Sequence, residues 1–77
     1  MNSHNEIELL SKLLFDKYGQ IVLDTKQTAE VVGKSVIALK TDRINGTGIP
    51  YSKMGRLIRY TLTDVAQYII ENRKEVA

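Results

Sequence analysis

A chain of 77 residues with 26% charged residues, no cysteine, no tryptophan and one histidine has room for one domain around a small core, and it excludes disulfide staples and thiolate metal sites. No apolar run approaches the ~18 residues of a membrane span, and the start lacks a charged-then-apolar leader pattern, so a soluble, cytoplasmic protein with no membrane partner is expected. His4 stands near the terminus without companions, which argues against a bound metal, and no cofactor is expected.

Residues 1–5 are polar and fraying is expected there. From 6 to 18, Ile7, Leu10, Leu14 and Tyr18 recur at helical spacing with Leu9 and Leu13 beside them, which predicts a helix with a wide apolar stripe. Glu6 and Glu8 at its start and Lys17 at its end suit the helix dipole, and Gly19 suits its stop. The stripe fits either this domain's core or a second subunit, and a small domain favours the former. Ile21, Val22 and Leu23 form a run too short for a helix, and read as a strand or a packed linker.

Thr25 is expected to cap a short helix over residues 26–32. Gly33 supplies the tight turn, and Ser35 caps a second helix running to about residue 43. Ala29 lies four residues before that glycine and Leu39 six after it, a small residue and a large one placed to meet where two helices cross. Two helices joined by about 3–4 residues are the arrangement that sets the second into a DNA major groove. With Leu39 inward, Val36 falls on the same side, Lys34, Ile37 and Thr41 point outward, and Ala38 and Lys40 lie on the flanks. Lys34, Lys40 and Thr41 suit phosphates and base edges, while Ile37 suits a thymine methyl or a different core.

Residues 44–50 form a loop, with Asn45-Gly46-Thr47-Gly48 favouring turns and Pro50 biasing Ile49 towards extended geometry. Residues 51–53 and 56–60 flank Met54-Gly55 as a hairpin, with Ile58 and Tyr60 on the face that anchors it and Lys53 and Arg56 at the tip, able to reach a phosphate backbone or minor groove. Thr63 is expected to cap a last helix over residues 64–72, with Asp64 in its first turn and Val65, Tyr68, Ile69 and Ile70 packing on the hairpin and first helices. There is no internal repeat and no second domain in this pattern.

The overall charge is only +2, but its distribution is uneven. Residues 25–60 carry seven Lys and Arg against Glu30 and Asp42, a net of +5, while the segments before and after carry −2 and −1. Positive charge confined to one stretch is the footprint of a polyanion-binding face, with a merely solvated surface as the competing reading.

Residues 23–73, through Leu23-Asp24-Thr25-Lys26, Ala29-Glu30, Val32-Gly33-Lys34-Ser35, Leu39, Gly48-Ile49-Pro50-Tyr51, Lys53, Gly55-Arg56, Ile58-Arg59-Tyr60 and Asp64-Val65, resemble the small winged helix-turn-helix domains of the excisionase and AlpA-like family, related in fold to the DNA-binding domain of MerR-type regulators. The resemblance implies a mainly α fold with a small β-hairpin, here a winged helix-turn-helix with an extra N-terminal helix. It divides the chain into an N-terminal helix and linker (1–22), the DNA-binding domain (23–73) and a tail (74–77), all in one compact unit. It further implies sequence-selective binding of double-stranded DNA, with the second helix in the major groove and the wing on the adjacent backbone or minor groove, in the service of a mobile element. The residues expected at the DNA are Thr25, Lys26, Lys34, Ser35, Ile37, Lys40, Thr41, Arg43, Lys53, Arg56 and Arg59. Two positions depart from the family's pattern: Lys34 stands where an apolar residue is common, and Asp42 where a tryptophan or other large residue is common. Ile44 is the expected replacement for that bulk. The helix over 6–18 lies outside the resemblance.

A non-enzymatic DNA binder is therefore the leading expectation, either an excisionase directing a recombinase or a small transcription regulator, with an integrase or a second copy on DNA as further partners. The alternative is a protein-interaction module that docks an integrase or polymerase through the N-terminal stripe. No catalytic residue is expected, because Glu6, Glu8, Asp16, Glu71 and Glu75 fall on helix surfaces with no histidine or cysteine nearby in sequence.

Overall fold

The computed structural model describes residues 3–73, so the expected 74–77 tail and residues 1 and 2 of the expected frayed start lie outside it. Four helices and a three-stranded antiparallel sheet follow in the order α1 (Ser3–Tyr18), β1 (Val22–Leu23), α2 (Thr25–Val32), α3 (Val36–Asn45), β2 (Ser52–Met54), β3 (Leu57–Thr61) and α4 (Leu62–Glu71). The chain is mainly helical with a small sheet. No helix among the described residues is long and apolar enough to cross a membrane.

α1 starts at Ser3, three residues before the expected position, because apolar periodicity marks only the part of a helix that packs. Glu6 is then the acidic residue of the first turn, and Glu8 falls beyond it. Leu14 is buried, and Ile7, Leu10 and Tyr18 pack against the core, largely through contact between α1 and α4. Leu9 and Leu13 remain more than half exposed, so the predicted wide stripe divides into a core-facing row and an outer pair. An ion pair between Arg73 Nη1 and Glu6 Oε2 at 3.0 Å joins the two ends of the described chain.

The cap of α2 is Asp24, one residue earlier than expected. Its Oδ1 accepts from the Gln27 backbone N–H at 2.7 Å, and Gln27 Oε1 accepts from the Asp24 N–H at 3.1 Å. Gln27 three residues on closes this reciprocal box for Asp24, whereas Thr25 has Thr28 at the corresponding place. Thr28 is buried, with its hydroxyl donating to the Asp24 carbonyl at 2.8 Å. Gly33 takes φ 72°, where a side chain would be strained, and ends the helix as expected. Ser35 caps α3 as expected, accepting from the Ala38 N–H at 3.0 Å. α3 continues two residues past its expected end, to Asn45.

The sheet order is β1-β3-β2. β3 pairs with β2 along its first half (Ser52↔Arg59, Lys53↔Ile58, Met54↔Leu57) and with β1 along its second (Val22↔Thr61, Leu23↔Tyr60). The short apolar run before α2 is thus a third strand beside the predicted hairpin. The hairpin turn is Gly55-Arg56, one position later than the expected Met54-Gly55. Gly55 has φ 66° and Arg56 is not left-handed, the sign pattern of a type II′ turn with glycine first. Tyr60 is buried and Ile58 packs on the core, as the alternation predicted.

α4 begins at Leu62 and is capped by Thr61, whose hydroxyl accepts from the Asp64 N–H at 3.1 Å, instead of by Thr63. The strand runs straight into the helix, which leaves Thr63 inside the first turn and lets Leu62 reach the core. Leu23, Leu39, Tyr60 and Val65 are the largest apolar residues with almost no exposure, each stabilising the fold by about 1.5–3 kcal/mol through burial. Ile49 joins them from the predicted loop, which the local pattern did not indicate.

Candidate functional site

α2 and α3 are joined by Gly33-Lys34-Ser35, with the Gly33 and Lys34 N–H groups both donating to the Ala29 carbonyl at 3.0 and 3.2 Å. Ala29 and Leu39 are buried together in the core, as the spacing around Gly33 implied. Leu39 fixes the rotation of α3, and its neighbours divide accordingly. Ile37, Lys40, Thr41 and Ile44 are exposed on the far side, while Asp42 and Arg43, partly buried, flank Leu39 on the near side. Val36, the first residue of the helix, is 46% exposed, against the expectation that it would share the inner face.

Arg43 is a joint between elements. Its Nη1 donates to the Tyr60 hydroxyl at 2.6 Å and lies 3.4 Å from Thr25 Oγ1, so α3, the start of α2 and β3 meet at one guanidinium. The same group lies 5.8 Å from the Tyr51 ring centroid, and the Tyr51 and Tyr60 rings are 6.3 Å apart at 52°. A cation over an aromatic face and a charge-assisted hydrogen bond both favour this placement.

Lys34 does not point outward as expected. Its Nζ meets Asp42 Oδ2 at 2.8 Å and lies 5.6 Å from the Tyr68 ring centroid of α4. Asp42 first, and Tyr68 second, hold the Lys34 ammonium above the ordinary lysine range. A cation on the α2–α3 turn and an anion on the inner side of α3 are thus partners. Ile44 does not replace the bulk, being 75% exposed. The loop after α3 folds back against Asp42 instead, so closely that a Cβ on Gly48 would sit 2.9 Å from the Asp42 Cβ, and Ile49 enters the core behind it.

Of the other expected residues, Ser35 is engaged as a cap and Arg59 is partly buried, with Nη1 donating to the Ile58 carbonyl at 2.8 Å. Lys26, Lys40, Lys53 and Arg56 are exposed, with no side-chain hydrogen bond or ion pair among the described residues. Lys26 lies in the first turn of α2, Lys40 on the outer face of α3, and Lys53 and Arg56 at the hairpin tip. Such cations suit phosphate oxygens, and a helix face with Lys40 and Thr41 suits base edges. Sequence reasoning gave Ile44 an inner, bulk-filling place instead of an outer one, and passed over the exposed hairpin residues Met54 and Leu57. Ile44 was legible by its seven-residue spacing from Ile37, whereas Met54 and Leu57 depended on the exact register of the turn.

Neither a protein-family model nor a curated protein matches this chain.

Proposed function

We propose that the chain is a non-enzymatic, sequence-selective binder of double-stranded DNA, built as a winged helix-turn-helix like those of the excisionase and AlpA-like family. In this reading α3 enters the major groove and the β2–β3 hairpin is the wing. The observation that carries it is the α2–α3 pair, with Ala29 and Leu39 both in the core, α3 capped at Ser35, and an outer face of Ile37, Lys40, Thr41 and Ile44 that the fold does not use. Lys26, Lys53 and Arg56 are the phosphate contacts, while Lys34 and Arg43 hold the elements that present them. Recombination directionality and transcription control both need these groove contacts. Direct repeats recovered from a random duplex pool would favour the first, and one inverted pair the second.

A gel shift at two salt concentrations tests the reading. With these three phosphate contacts, log K falls with log salt at a slope of about −2.7. Lys40→Ala or Thr41→Ala changes the preferred sequence, and Arg56→Ala weakens every duplex alike. A second reading, a module docking an integrase or polymerase, is favoured by the outer pair Leu9 and Leu13 on α1 and, on another side of that helix, by a groove that includes Phe15 and Ile21. It predicts no salt-sensitive DNA binding at all.

A further inference from the structure

The outer face of α3 is most apolar where it is most exposed. Ile37 is 76% and Ile44 75% exposed, and seven residues apart they lie within about 20° of one another around the helix, with Thr41 between them and Lys40 alongside. One exposed isoleucine is ordinary on a protein surface, but two on one line of a helix ten residues long make a stripe.

Three polar groups of α3 and its cap that could hydrogen-bond bases are engaged elsewhere. Asp42 holds Lys34, Arg43 holds Tyr60, and Ser35 caps the helix. Lys40 and Thr41 remain, with Asn45 at the last position. Lys40 stands exposed on the same helix, and the exposed cations Lys26, Lys53 and Arg56 belong to the same basic segment, whose charge complements a polyanion and not an apolar protein groove. In a major groove the apolar group on offer is the C5 methyl of thymine.

Resting on the DNA-binding reading, we infer that α3 selects its site chiefly by packing Ile37 and Ile44 against thymine methyl groups, with Lys40 as the accompanying donor to a guanine edge or a phosphate. Target sites are then rich in thymine under α3, and specificity comes from shape and burial more than from bidentate hydrogen bonds.

Duplexes that the protein recovers from a random pool, resynthesised with 2′-deoxyuridine at every thymine, lack the methyl groups but keep their pairing. Burial of one carbon is equivalent to about a fourfold change in Kd, so two contacted methyls give about a fifteenfold loss. The double variant Ile37→Ala, Ile44→Ala changes only exposed positions, and it binds thymine and uracil duplexes equally, close to the parent's affinity for the uracil form. Equal affinity of the parent for both duplexes, or undiminished discrimination by the double variant, overturns the inference while DNA binding stands. Absence of binding to any duplex at low salt removes the DNA-binding reading, and this inference with it.

Discussion

Arg43 at the end of α3 and Arg56 at the tip of the hairpin belong to the same basic segment, yet they stand in opposite environments. Arg43 is partly buried against Tyr60, Thr25 and Tyr51, whereas Arg56 is exposed in a two-residue turn. Lys34 and Lys40 repeat the contrast on a smaller scale, the first paired with Asp42 and the second open to solvent. The net +5 of residues 25–60 therefore divides into cations that join elements and cations available to a partner, and only the second group should set the salt dependence of binding.

Leu39→Ala breaks the contrast at its root. Leu39 is 1% exposed and sets which side of α3 faces the core, so its truncation should destabilise by about 2–5 kcal/mol in urea unfolding and, in so small a domain, abolish binding through loss of the fold. Tyr60→Phe is gentler, since it keeps the ring and removes the oxygen that Arg43 contacts. A loss of about 1.5–3 kcal/mol is expected, with the salt slope of any DNA binding unchanged. Arg43 acting mainly on DNA would instead leave stability unchanged in that variant.

The Lys34–Asp42 pair is partly open, with side chains 34% and 24% exposed, so solvent screens it and a double-mutant cycle should return about 0.5–1 kcal/mol. Its pH dependence has a definite sign. The Lys34 pKa is raised on folding, so its contribution is complete below the ordinary value of 10.5 and fades as pH rises through the higher folded value. Between pH 9 and 11.5 the urea midpoint of the parent should fall more than that of Lys34→Met.

Local chemistry explains what could be read from the chain beforehand. Gly33 and Ser35 act within a few residues of themselves, and the stop of α2 and the start of α3 fall where expected. The caps at Asp24 and Thr61 were misplaced by one and two residues because two capping residues compete at each site. At α2 the choice falls to Gln27, whose side chain returns to the Asp24 N–H. The division of cations was not legible. Lys34 meets Asp42 across eight residues and Arg43 meets Tyr60 across seventeen, and both contacts depend on how α3 is rotated and where the following loop returns. The third strand was half legible: Val22 and Leu23 read as extended, but their partner depends on the β3 register.

The most direct test of the central claim is equilibrium binding of a random-sequence duplex across a salt series, measured by fluorescence anisotropy for the parent and for Arg56→Ala. Salt-sensitive binding by the parent is expected, with a variant of unaltered urea stability, weaker binding and a log–log slope shallower by about 0.9. A parent that fails to bind at low salt, or a variant with the parent's affinity and slope, contradicts the central claim.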